Sequence, residues 1–459
     1  MNLEKDHIAP AQSDLVNIET GDLDVACIGP GGTASGETKG GEAEQAAAAE
    51  GRVHINIRLE LMHKILIAGA LAAALAAAQV SERARKLQAD ALVFDGHVHM
   101  IDRIFFHGGD IGERVTNSQA DLPRAREGGV KAMFFSLFVP EAYYPGRHET
   151  RHALQEMDLA LDQIEKNHDT IEVALTADDI GRITRSGKIA AVMDLEGGFD
   201  LDGDLHILHA LYRLGLRSAQ LASHNWTNNF ADSCCAPPKW HGLNERGRAV
   251  VREMNRLGMA INVSHSSDET ISQTLDISTD PIVATHHGMR ALVNIPRNMP
   301  DDLMKKLAAK GGVIGIQMGT DFHSQKAFDY NTHLEGKAFW DASTIGKREA
   351  GMPVEEIDKM LAPAYPLLPK TLPANVQISI DDWVAVVDRA IRIVGEDHVA
   401  LGTDFDGGPQ LPHPMRDIRD LPLITDAMLR RGYSEERIRK FLGGNLLRVF
   451  RQVTEKSRR

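Results

Sequence analysis

The chain is poor in cysteine, with Cys27, Cys234 and Cys235 the only three among 459 residues. That number excludes a disulfide framework, and without a CxxC pair a zinc ribbon or dithiol motif is excluded too. Cys234 and Cys235 are adjacent, where an unstrained bridge is hard to form; they are expected to be incidental small residues, not ligands. An excess of basic charge is also lacking. Lys and Arg number 51 against 64 Asp and Glu, a net charge of −13, which argues against a nucleic-acid partner. The glycine stretch at Gly29-Pro30-Gly31-Gly32 misses the GxGxxG spacing, since Ala34 stands in the third position, and it lacks the strand and helix of a nucleotide fingerprint. The uncharged run at 65–78 holds 14 residues, short of the ~20 needed for a membrane span.

What is present is a globular chain with an uneven front. Hydrophobic residues make up 43% and charged residues 25%, enough for a large core and too apolar for a wholly disordered chain. The length fits two or three domains, or one large barrel. Residues 1–61 carry 11 acidic and 4 basic side chains, show little periodicity, and read as a disordered acidic leader outside the folded domain. Residues 62–78 then read as a signal peptide: Met62-His63-Lys64 as basic start, an Ala/Leu run, and Ala76-Ala77-Ala78 as a cleavage site. On that reading Met62 is the true start, the chain is periplasmic or secreted, and 79–459 form one domain. An Ala-rich helix packed on the domain is the competing reading.

From residue 91 onward, eight apolar runs alternate with helical stretches: 91–94, 130–138, 189–193, 218–222, 259–263, 282–284, 313–318 and 399–402. Between them, helical spacing recurs, as at Leu205, Leu208, Leu211 and Tyr212. Buried parallel strands read as continuous apolar runs because helices cover them. Eight such units predict an α/β fold, a (β/α)8 TIM barrel. Residues 320–378 form an insertion after strand 7, with Pro363, Pro366, Pro369 and Pro373, placed to form a lid or rim over the active-site face.

The polar residues that follow the runs carry the chemistry. They are Asp95-Gly96-His97-Val98-His99, Asp194-Leu195-Glu196, His224-Asn225, Ser264-His265, His286-His287 and Asp404-Phe405-Asp406. In a barrel these strand ends converge on one mouth. Residues i and i+2 of a strand face one side, so His97 and His99 can grip one ion. Glu196 can bridge two ions, and His265 and His286 complete the second. Two ions about 3.5–4 Å apart activate a shared hydroxide and polarise a carbonyl. A lone strand-end histidine is usually a core or loop residue, and Glu196 or Asp404 alone could cap a helix; their convergence favours a metal centre. His287 should point away from it if the strand continues.

These segments resemble the membrane (renal) dipeptidase family of zinc peptidases, among the amidohydrolase-like, metallo-dependent hydrolase barrels. The likeness also covers Ala231-Asp232-Ser233, Arg297-Asn298-Met299-Pro300-Asp301-Asp302 and Gly443-Gly444-Asn445, running from about Phe94 to the C-terminus. It implies a binuclear zinc metallopeptidase that hydrolyses dipeptides, with two Zn2+ held by His97, His99, Glu196, His265 and His286. It further implies that His224 contacts substrate and oxyanion, that Arg297 binds the substrate carboxylate, and that Asp404 shuttles the proton. Asp301 and Asp302 are expected to start a helix. One departure stands out: the family's first motif usually reads His-x-Asp, whereas this chain has His97-Val98-His99. An imidazole in place of a carboxylate leaves the centre one charge more positive, with consequences for bound water and metal preference. His99 therefore motivates an alternative, hydrolysis of another amide or a lactone. A non-catalytic binding barrel is a third reading, disfavoured because every candidate ligand is in place. The resemblance also allows a homodimer, for which the sequence carries no separate signal.

Overall fold

The computed structural model describes residues 80–140, 148–197, 204–222, 227–335, 353–365 and 371–455. The leader, the signal-like segment and His224 lie outside the described residues. Among the described residues no helix is long and apolar enough to cross a membrane.

Nine strands form one parallel sheet: β1 Val93–His99, β2 Val130–Val139, β3 Ile171–Val173, β4 Ile189–Gly197, β5 Leu216–Gln220, β6 Ala260–Asn262, β7 Val283–His287, β8 Val313–Ile316 and β9 Val399–Leu401. Eight of them run in the order β1-β2-β4-β5-β6-β7-β8-β9, and these are the eight runs read from the sequence. β3 was not foreseen. It is three residues long and pairs only with β4, through Ile171 opposite Ile189.

The ends of the sheet meet. Val98 pairs in parallel with Phe405. The His99 N–H donates to the Phe405 carbonyl at 2.9 Å, and the Asp404 N–H donates to the His97 carbonyl at 3.0 Å. The sheet is thereby a (β/α)8 barrel, closed along a seam just past β9. Glycines let the backbone crowd inside it. A Cβ on Gly315 or on Gly402 would sit 2.0 Å from the Thr285 carbonyl oxygen, a backbone atom that cannot swing aside. Gly402→Ala is accordingly expected to cost about 1–3 kcal/mol by overpacking, read as a lower denaturation midpoint; an unchanged midpoint would show that the barrel relaxes there.

The covering helices are set by local signals. Leu205–Leu214 starts where the Asp204 side chain accepts from the His206 N–H, and ends at Gly215 with φ 116°. Glu245–Leu257 is capped by Asn244 and closed by the left-handed Gly258. Ile380–Val394 opens with a reciprocal capping box between Ser379 and Asp382. Asp301 and Asp302 occupy the first turn of the helix Asp301–Ala309, as expected from their position. The last helix, Asn445–Thr454, is tied to the sheet by Asn445 Nδ2, which donates to the Val399 carbonyl at 2.9 Å. Its Phe450 packs on Phe134, which in turn packs on Phe94.

The insertion after the seventh barrel strand is partly helical, with Gln325–Glu335 and Val354–Leu361. Its Tyr365 stacks on Phe106 at 4.5 Å and reaches Phe138 at the end of β2. It therefore lies at the mouth end of β1 and β2, consistent with a rim. The loop before the helix Glu245–Leu257 corrects one expectation. Cys234 and Cys235 form a disulfide. Their backbone is pinned on both sides: the Cys234 N–H donates to the His265 carbonyl at 2.8 Å and the Cys235 N–H to Ser233 Oγ at 3.2 Å.

Candidate active site and metal centre

Some of the polar residues at the strand ends belong to the strands themselves, while His265 and Asp404 follow β6 and β9. β1 continues through His97 and His99, β4 through Glu196, and β7 through His286. Strand pairing continues past these buried polar side chains, with register shifts between Asp95 and Val98 and between Ala284 and His287, so the strands extend further than hydrophobicity alone indicates. Unbroken register between β2 and β4 sets Phe138 beside Glu196.

Four imidazoles converge on the Glu196 carboxylate, which is 2% exposed. Its Oε2 lies 2.5 Å from His97 Nε2 and 3.2 Å from His99 Nε2. Its Oε1 lies 3.0 Å from His265 Nε2 and 3.6 Å from His286 Nε2. The two Nε2 atoms of His265 and His286 are 3.1 Å apart, and the rings of His97 and His286 stack at 4.0 Å. Asp404 closes the other side, with Oδ1 3.3 Å from His99 Nε2. Two buried groups could each hold an ion: His97, Glu196 and His286, and His97, His99 and Asp404. Arg297, 1% exposed, sets Nη2 3.1 Å from His265 Nε2 and donates to the His286 carbonyl at 2.9 Å. Its Nε has no hydrogen-bond partner among the described residues. His287 is buried, with Nδ1 3.3 Å from Arg297 Nη1.

A supporting layer orients these groups, and the sequence reading assigned it no role. Asp194 Oδ2 lies 3.2 Å from His97 Nδ1; its i, i+2 relation to Glu196 was the available signal. Asp102 Oδ2 lies 2.8 Å from His99 Nδ1. Thr285 Oγ1 lies 3.0 Å from His286 Nδ1. Gln317 Nε2, one residue past β8, donates to Asp404 Oδ2 at 2.8 Å. Asp95 and Asp406 belong to the bracing, not the cluster. Asp95 accepts from the Thr403 hydroxyl and N–H. Asp406 accepts from Ser118 Oγ and the Gln119 N–H. Burial pushes both carboxyls up to about 6. His265 and Asp404 adopt left-handed backbone at φ 63° and 64°, an uncommon conformation for residues with side chains. Cys234 holds the first through its backbone and His97 the second.

The electrostatics are those of a site that gathers cations. Burial opposes charge on Glu196, yet the imidazoles of His97 and His286 hold it well below its ordinary value. Burial likewise opposes charge on Asp404, but His286 and His99 lower it to about 2. His97 is raised to about 9, its burial outweighed by Glu196 and Asp194. His286 falls to about 4, through burial and then the neighbouring His97. Two ionised carboxylates in a dry site ringed by imidazole nitrogens form a donor set that fits zinc. The ring nitrogens facing one another at 3.1 Å are satisfied by a shared cation better than by each other.

Comparison with known proteins settles the lineage. The model of the membrane dipeptidase family, peptidase family M19, matches residues 81–459. The chain belongs to that family. Among the family's curated members, Dipeptidase tcpJ of Claviceps purpurea is 30% identical over 419 residues, covering 87% of this chain and 85% of that one. Dipeptidase 3 of Rattus norvegicus is 28% identical over 396 residues, covering 82% and 68%. Among solved structures, the probable dipeptidase PvdM of Pseudomonas aeruginosa superposes with a TM-score of 0.68 at 25% identity, covering 82% of this chain and 98% of that one. As a member of the membrane dipeptidase family, the chain is a peptide-bond hydrolase on a metallo-dependent hydrolase barrel.

Proposed function

We propose that the protein is a binuclear zinc dipeptidase. The observation that carries the reading is the placement of Arg297, a buried guanidinium directly beside the His265 end of the His–Glu cluster. A guanidinium binds a carboxylate in a planar fork. Each added residue moves a chain's carboxylate ~3.3–3.6 Å further off. A clamp this close to the cluster favours a substrate with one residue beyond the scissile bond. His97, His99, Glu196, His265 and His286 would hold the two ions, with Glu196 between them. When bound, the ions supply an activated water and Lewis-acid polarisation of the peptide carbonyl.

The chain's own residues supply the rest. Asp404, ionised and oriented by Gln317, takes the proton of the attacking water and returns it to the leaving amine. Arg297 fixes the C-terminal carboxylate and so sets which carbonyl faces Glu196. His224 is assigned to the developing oxyanion on the family likeness. The domain reading is carried forward in the same sense, with 79–459 as the enzyme and 62–78 as the export signal.

A dipeptide library with LL and LD pairs, run on zinc-loaded protein, tests the function. Turnover of dipeptides that lack nothing but a free carboxylate should be poor. Turnover of N-acyl amino acids or lactones, with none of any dipeptide, would favour the alternative that His99 motivates. Arg297→Ala is expected to raise KM about 10–100-fold, the loss of one charge-assisted pair of 1.5–3 kcal/mol. An unchanged KM would remove the clamp.

A further inference from the structure

The helix Ile101–His107 begins two residues after β1 ends, and its first turn carries Asp102. That side chain is 3% exposed. An acid in a first turn ordinarily faces solvent and the helix dipole. Asp102 is instead turned inward, under the metal cluster. Its Oδ2 lies 2.8 Å from His99 Nδ1, and its Oδ1 accepts from the Phe138 N–H at 3.4 Å. The other face of the ring is the working face, with Nε2 3.2 Å from Glu196 and 3.3 Å from Asp404. Phe138 meets the His99 ring edge-on at 5.9 Å. His99 is therefore held by a carboxylate behind and an aromatic wall at its side.

We propose that Asp102 is the positioning residue for His99, holding the proton on Nδ1 so that the Nε2 lone pair is presented to the ion shared with His97. An imidazole has two nitrogens, and the hydrogen bond made by one fixes which is free to ligate. With a carboxylate on Nδ1, the proton stays there and Nε2 is the donor atom. The same carboxylate adds a negative charge one bond-length layer behind a neutral ligand, so the imidazole and Asp102 together present an ion with the charge that a directly ligating carboxylate would.

The layer beyond supports this arrangement. Glu156, on the helix His148–Lys166, is fully buried, and its Oε1 lies 3.4 Å from His152 Nε2. Burial and then the neighbouring Asp102 charge hold its carboxyl well above the ordinary value.

The inference rests on the binuclear reading, and one titration separates the two. Metal-free protein is titrated with Zn2+ against a competing chelator, and separately with Co2+ to follow its absorption spectrum. The wild type is expected to take up two ions. Asp102→Asn should weaken one of the two about 10–100-fold and alter the Co2+ spectrum of that site, while the other ion and the thermal midpoint hold. His99→Ala should weaken the same ion, and adding Asp102→Asn to it should cause no further loss, because the two act as one unit. Glu156→Gln, an isosteric change at a residue whose near partner is His152 and not a cluster residue, should leave both affinities unchanged. If Asp102→Asn does not fold, Asp102→Ser, which keeps an acceptor for the Phe138 N–H, takes its place with the same expectation. Wild-type affinities in the Asp102 variant, losses that multiply in the double variant, or a Glu156→Gln loss equal to that of Asp102→Asn would each overturn the assignment. A wild type that takes up fewer than two ions would overturn the binuclear reading and this inference with it.

Discussion

Asp404→Asn is expected to lower kcat about 10²–10⁴-fold with KM nearly unchanged, the range for loss of a general acid–base group. The geometry makes the substitution a clean one. Asn is isosteric with Asp and can still accept from Gln317 Nε2, which now sits 2.8 Å from Oδ2. The backbone N–H still donates to His97, so the left-handed turn at 404 is retained. What is lost is the ability to take up a proton. The neighbouring imidazoles hold the Asp404 carboxyl at about 2 against the effect of burial, so it begins a turnover as a base. Steady-state kinetics on a dipeptide at saturating zinc would check this. Full kcat in the variant would remove Asp404 from proton transfer, and a rise in KM alone would make it a binding residue.

Glu196→Gln is expected to strip the centre itself. Both carboxylate oxygens face ring nitrogens, His97 and His99 on one and His265 and His286 on the other. An amide offers one oxygen and one NH2. Whichever way it turns, two imidazoles meet a donor where they met an acceptor, and the negative charge that all four share is gone. Metal content after dialysis should fall from two ions per chain to less than one, with activity at background. Elemental analysis reads the first and the dipeptide assay the second. Retention of two ions would show that Glu196 is not the bridge, and that the histidines with Asp404 suffice.

The barrel was legible because its strands are buried on both faces and read as unbroken apolar runs. β3 was not, since Ile171–Val173 holds only three residues and depends on β4 for its partner. The cluster was legible for a related reason. His97, His99, Glu196, His265, His286 and Asp404 are strongly polar residues at the ends of apolar runs, and the barrel's topology brings those ends together. Asp102 and Gln317 were not legible as site residues. Asp102 lies in a helix and Gln317 in the tail of an apolar run, and each meets its partner only through the fold. The bonded Cys234–Cys235 pair shows the same limit from the other side. Local geometry argued against it, and the bond from the Cys234 N–H to the His265 carbonyl exists only in the folded chain.

The seam between β9 and β1 joins strength and chemistry at one place. The hydrogen bonds that close the sheet are made by the backbone of His97, His99, Asp404 and Phe405. Three of those four residues also place side chains in the cluster. A local opening there separates Asp404 from His99 while the rest of the barrel stays hydrogen-bonded. A variant that loosens this seam is therefore expected to register as a kinetic defect before it registers as an unstable protein, read by comparing the temperature of activity loss with the unfolding midpoint.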